Sequence, residues 1–181
     1  MCRCIYVFLE GDTDERFFNV IIRPILGQRY AAVVPWRYAQ RSKEDVKRAL
    51  QSVRDGKADY LFLEDIDTYP CVTARKEDLL KTYKQRIDPT WAIVVVREIE
   101  SWYLAGLDDE ARQDFGISPN RHRHTDDLTK EQFESLMPTK FDSITDFMDE
   151  ILKRFRVETA KGKNRSFCYL MDVLEARLRK V

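Results

Sequence analysis

Along the front of the chain, short runs of β-branched and aromatic residues alternate with longer stretches whose apolar positions recur every three or four residues. The short runs read as strands and the longer stretches as amphipathic helices. A first strand is expected from about Cys4 to Leu9, then a helix from near Thr13 with Phe17, Val20, Ile21 and Ile25 at helical spacing. Pro24 should kink or end that helix, and Gly27 follows as a stop signal. Ala31 to Trp36 reads as a second strand, placed at a sheet edge by Pro35. Ser42 can cap a helix running through Val46, Leu50 and Val53 to Asp55-Gly56. The third strand, Tyr60 to Leu63, is followed by a helix from about Thr73 to Arg86, which Asp88-Pro89 breaks before a fourth strand, Trp91 to Val96.

The pattern changes after a helix from about Glu100 to Leu107, because no later run has the character of a strand. A polar loop, Ser118 to Asp127, leads to short helices near Thr129 to Leu136 and Ile144 to Phe155. A last amphipathic helix covers Ser166 to Leu178, with Phe167, Leu170, Val173, Leu174 and Leu178 on one side. The expected fold class is α/β: a mainly parallel four-stranded sheet flanked by helices, with a helical C-terminal extension packed on the same domain.

With 181 residues the chain suffices for one well-buried domain. Lys+Arg and Asp+Glu both total 31, so there is no global basic field, and contact with nucleic acid must come from a local patch. No apolar stretch approaches a membrane span, and Met1-Cys2-Arg3-Cys4 lacks the layout of a signal peptide, so no membrane partner is expected. Cys2, Cys4, Cys71 and Cys168 show no zinc spacing; Cys2 and Cys4 read as reduced packing residues of a cytoplasmic protein.

Acidic residues close three of the four expected strands: Glu10 to Glu15 after the first, Glu64-Asp65-Ile66-Asp67 after the third, and Glu98-Ile99-Glu100 after the fourth. In a parallel sheet the carboxyl ends share one edge, where ligands bind. Crowded carboxylates raise one another's pKa or repel, and a divalent cation with all-oxygen ligands, Mg²⁺ or Mn²⁺, relieves them. Asp65 and Asp67 would point to one side if the strand continued through them. Local roles are also open to each acid. Asp12 and Glu15 stand at capping-box spacing, Asp65 and Asp67 can bond a turn, and Glu98 and Glu100 suit the first turn of a helix.

The blocks Leu9-Glu10-Gly11-x-Thr13-Asp14-Glu15, Asp65-x-Asp67 and Glu98-Ile99-Glu100-Ser101-Trp102-Tyr103-Leu104-Ala105, in that order, resemble the TOPRIM family. The likeness is to a small prokaryotic group related to OLD-type nucleases, in which such proteins are linked to phage or mobile-element defence beside an ATPase partner. It covers roughly Ile5 to Leu107, and implies a Rossmann-like TOPRIM core over 1–107 and a helical extension over 108–181. The resemblance implies a Mg²⁺- or Mn²⁺-dependent nuclease acting on nucleic acid, with DNA favoured over RNA. Glu10 would be the acid nearest the phosphate, as general base or ligand, and Asp65 and Asp67 would hold the metal. Glu15 and Glu100 would complete or orient a second metal, with Glu98 as a further candidate, while Asp12 receives no role. Phosphodiester cleavage suits such residues, since a cation withdraws charge from the phosphate and acidifies the attacking water. The alternative is a non-catalytic or partner-dependent TOPRIM module in a complex with an ATPase. A receiver-like phosphoacceptor domain also gathers aspartates at strand ends, but Glu10-Gly11 and Glu98-x-Glu100 argue against it.

Two basic segments remain. Arg121-His122-Arg123-His124 holds both histidines, without a third ligand spaced to close a zinc site; a solvated loop or phosphate contact is open to it. Lys161-Gly162-Lys163-Asn164-Arg165-Ser166 reads as a cationic turn entering a helix, where phosphate can be attracted. In nucleases of the resembled type a lysine near the metals steadies the transition state, so Lys161 or Lys163 is the catalytic candidate. Trp102 and Tyr103 are expected in the core.

Overall fold

The structure, a computed structural model, describes residues 3–84 and 86–179, with Leu178 by its backbone alone. The expectations for Cys2 and for the Leu178 side chain therefore lie outside the described residues. The chain divides into two compact units, one holding everything up to Val95 together with the chain from Asp172 onward, the other Val96–Met171.

The first unit carries the sheet. Its strands β1 (Cys4–Leu9), β2 (Ala32–Arg37), β3 (Asp59–Asp65) and β4 (Ala92–Val95) lie in the order β2-β1-β3-β4 and pair in parallel throughout. The parallel four-stranded sheet expected from the hydrophobic runs is present. Pro35 lies in edge strand β2, opposite Val7, where its missing N–H need not serve an inner ladder. Both faces of the inner strands are covered: Ile5, Val7, Leu9, Leu61 and Leu63 are buried on one, Phe8, Tyr60 and Phe62 on the other.

Helix α1 (Asp12–Phe17) passes into a π-helical turn, Phe18–Ile22, and then α2 (Arg23–Leu26). Pro24 does not end the helix; it sits in the first turn of α2, where its missing donor is tolerated. The wider π turn lets Phe17, Phe18, Ile21 and Ile22 all face the core. Helix α3 (Lys43–Asp55) is capped by Ser42, whose Oγ accepts from Asp45 N at 3.1 Å. Its buried Val46, Leu50 and Val53 pack with Leu79 of α4 (Val72–Thr82) over Phe8 and Phe62. Phe62 stacks on Phe8 at 5.5 Å and on Tyr38 at 5.0 Å, pairs worth about 0.5–1.5 kcal/mol each beyond the area they bury.

The second unit is helical, with α5 (Glu100–Ala105), α6 (Asp109–Asp114), α7 (Lys130–Glu134), α8 (Ile144–Lys153) and α9 (Val157–Lys163). The last helix, α10 (Arg165–Arg179), begins in this unit and ends in the first. Trp102 and Tyr103 are fully buried, as expected, and Trp102 Nε1 donates to Ser166 Oγ at 2.8 Å. Among the described residues no helix is long and apolar enough to cross a membrane.

Candidate functional site

In the order β2-β1-β3-β4 the chain leaves β1 toward one side and returns to build β3 on the other. The carboxyl ends of β1 and β3 therefore flank the switch point, the usual crevice for ligands in open parallel sheets. Glu10 follows β1 directly, and Glu64 and Asp65 close β3.

Strand parity decides which acids meet. Phe8 pairs with Phe62, so Glu10 and Glu64, each two residues further on, emerge on the same face. β3 runs through Asp65, beyond the expected end at Leu63, and Ile66 N donates to Val95 O at 2.9 Å. The strand then stops. Asp67 has φ of +50°, a left-handed conformation that Asp tolerates, so simple alternation does not relate it to Asp65. Even so, the carboxylates of Glu10 and Asp67 both act on Glu64, whose pKa is pushed up to about 7. Burial is the largest cause, and the two neighbouring negative charges add to it against the pull of Arg75. Glu64 is the member that sequence reasoning overlooked. Its signal was its parity with the buried Phe62.

Arg75, in the first turns of α4, stands among these acids with its side chain only 9% exposed. It is ion-paired with Glu64, and its Nη2 lies 2.8 Å from Asp67 Oδ2. Its Nε donates to the Asp65 carbonyl at 3.0 Å, and the guanidinium stacks on Tyr69 at 4.7 Å. Glu64 Oε2 is buried without a hydrogen-bond partner. Above the cluster, Tyr38 donates its hydroxyl to Leu63 O at 2.8 Å, and burial first, then Glu64, Glu10 and Asp14, raise its pKa well above the ordinary value.

The remaining N-terminal acids serve the entry to α1. Asp14, not Glu15, closes the capping arrangement: its Oδ2 accepts from Gly11 N at 3.1 Å. Glu15 lies 3.1 Å from Arg37 Nε, and the same guanidinium is ion-paired with Asp12. Arg37 and Arg41 share with Glu10 a cleft of about 130 Å³.

Glu98 and Glu100 belong to the second unit. Glu98 Oε2 accepts from Lys130 N at 2.6 Å, at the first residue of α7, where the helix dipole favours an anion. Glu100 is buried in α5, and its pKa is raised, by burial first, with Glu98 adding to the effect.

The segment read as a cationic turn is helical instead. Val157–Lys163 forms α9, so Lys161 and Lys163 stand in its last turn and the chain breaks only at Asn164. Lys163 Nζ donates to Leu107 O at 2.7 Å and lies 3.8 Å from Asp109, while Lys161 lies 3.6 Å from Glu158. Fully buried Arg112 donates to the carbonyls of Arg121 and His122 at 2.8 and 3.2 Å, which holds the backbone of the histidine loop.

Among the described residues, no three Asp, Glu, His or Cys side chains are arranged as they stand to hold a metal ion. The donor chemistry at the switch point nonetheless suits a hard cation: carboxylates only, one of them with a buried, unsatisfied oxygen. Comparison of the chain with family models, with curated proteins and with solved structures finds no significant match in any of the three. What fold and site define together is an α/β protein with an acidic cluster at the switch point of a parallel sheet.

Proposed function

We infer that the protein is a Mg²⁺- or Mn²⁺-dependent nuclease of the TOPRIM type, hydrolysing phosphodiester bonds in nucleic acid. The observation that carries this reading is the parity that brings Glu10 and Glu64 to one face beside the carboxyl ends of β1 and β3, with Arg75 joining Glu64 to Asp67. Negative charge gathered there in a partly buried place is unfavourable unless a cation offsets it. Glu10, Glu64 and Asp67 would hold the metal, while Asp65, the next residue of β3 after Glu64, alternates to the other face of the strand. When bound, the metal would draw charge from the phosphate oxygens and acidify a water. Glu10 is exposed enough to meet a substrate and is the group assigned to take up the proton. Arg41, lining the cleft with Glu10, supplies local positive charge for a phosphate backbone in a chain whose net charge is zero, whereas Arg37 beside it is engaged by Asp12 and Glu15.

A second reading, a non-catalytic TOPRIM module that works within an ATPase complex, is favoured by one observation. Arg75 already offsets the charge of Glu64 and Asp67. Cleavage of single- and double-stranded DNA and RNA, with Mg²⁺, Mn²⁺ or chelator, separates the two. The nuclease reading expects metal-dependent cleavage that Glu10→Gln lowers by orders of magnitude. Wild-type protein that binds metal and cleaves none of these substrates supports the module.

A further inference from the structure

Arg75 pairs with Glu64 and reaches Asp67 Oδ2 at 2.8 Å, so one guanidinium engages two of the carboxylates assigned to the metal. It is held in place from several sides. The Asp65 carbonyl accepts from Nε at 3.0 Å, Asp78 lies 3.8 Å from Nη1, and the Tyr69 ring lies under the guanidinium. The acids beside it are gathered yet not disposed as a coordination sphere, among the described residues. Arg75 takes Glu64 Oε1 and Asp67 Oδ2, so a divalent cation on the same two carboxylates would stand close to the guanidinium, where the two repel each other.

We propose that Arg75 is a resident counter-ion that competes with the metal, so that cation binding must draw Glu64 and Asp67 away from it. This rests on the metal reading given above and adds a regulation to it. Arg75 offsets part of the negative charge of the metal-free site, and sets the concentration at which the cation enters. A guanidinium that merely positioned the carboxylates for the metal would act in the opposite direction, since its loss would weaken binding.

Titration calorimetry with Mn²⁺ on the full chain, comparing wild type, Arg75→Gln and Arg75→Lys, tells these apart. Arg75→Gln is expected to bind Mn²⁺ about tenfold more tightly or better, the scale on which one neighbouring charge changes a carboxylate's ion preference. Arg75→Lys, which keeps the charge and loses the planar fork, should fall between. Equal or weaker binding by Arg75→Gln overturns the proposal and leaves the metal reading standing. If Arg75→Gln does not fold without metal, the wild type carries the test through the ¹⁵N signal of Arg75 Nε–H, assigned by its loss in Arg75→Lys. That signal should move and exchange faster with solvent as Mg²⁺ saturates the protein. A signal unchanged in metal-saturated protein overturns the proposal as well. Absence of binding by either cation in all three proteins removes the metal reading and this inference with it.

Discussion

At neutral pH Glu64 stands in the middle of its own titration, because burial and the charges of Glu10 and Asp67 have lifted it from 4.5 to about 7. The native state therefore holds a proton there that the unfolded chain has already released. Between about pH 4.5 and 7 metal-free stability must fall as pH rises, and level off above that window. The loss is on the order of 3 kcal/mol, since a tenfold change in proton affinity is worth about 1.4 kcal/mol and the opposing pull of Arg75 is already part of the shift. Arg75 remains charged throughout, so the acid alone moves with pH. Thermal melts in chelator across this range should show the decline in wild type and a flatter profile in Glu64→Gln. With saturating Mg²⁺ the trend should reverse, because the cation needs the ionised carboxylate. An identical slope in Glu64→Gln would place the titrating group elsewhere.

At the scale of elements, what could be read from the sequence followed hydrophobic period, and what could not depended on where elements stop. The strand runs and the Ser42-capped helix stand close to their expected places, because β-branched runs and a capping serine are local signals. The end of β3 was hidden: Glu64 and Asp65 look like a loop until Val95 is known to pair with Asp65. Arg75 was hidden for the opposite reason, since nothing local distinguishes it from other exposed helical cations, and only the tertiary pairing with β3 buries it. Helix α9 buries Ala160 and carries Gly162, so it lacks the apolar stripe that would have announced it. Its end is fixed by Asn164, whose Nδ2 donates to Ser101 Oγ and Thr125 Oγ1 and whose Oδ1 accepts from Ser166 Oγ and Phe167 N. Asn164→Ala should cost about 2–3 kcal/mol, because it strands several buried partners at once. Asn164→Asp should recover the two bonds to Oδ1 but not the two that Nδ2 donates. Thermal melts of both variants measure this, and an unshifted Asn164→Ala would contradict the network. At the end of α5, a Cβ on Gly106 would run into the ring of Phe155, itself packed on Phe167 at 5.6 Å. Gly106→Ala should destabilise by about 1–3 kcal/mol as an overpacking change, read as a lower Tm.

For the whole molecule, a metal at the switch point would act as a ligand of the folded state alone, so binding and stability are linked. At a hundredfold excess over Kd the cation should add about 2.7 kcal/mol, which in a chain of 181 residues is a rise in Tm of roughly 5–10 °C. The Asp65→Asn, Asp67→Asn double variant should lose most of that rise, and equal rises in both proteins would contradict the assignment. Glu10→Gln is the more informative change, because it separates charge from shape. The amide is nearly isosteric and removes one of the negative charges acting on Glu64, so the fold should persist and metal-free Tm should hold or increase. Cleavage should nevertheless collapse, since an amide neither takes up the proton nor offers an anionic oxygen. Glu15→Gln supplies the contrast. Its carboxylate faces Arg37 at 3.1 Å and is partly exposed, an ion pair worth about 0–1 kcal/mol. If that pairing is all Glu15 does, its removal leaves both the metal-induced shift and the cleavage rate near wild type. Loss of activity in Glu15→Gln at unchanged Tm would bring Glu15 into the metal's surroundings, as its place in the Glu10–Glu15 block implies. Glu10→Gln with full activity would sink the nuclease assignment, whatever the metal does to stability.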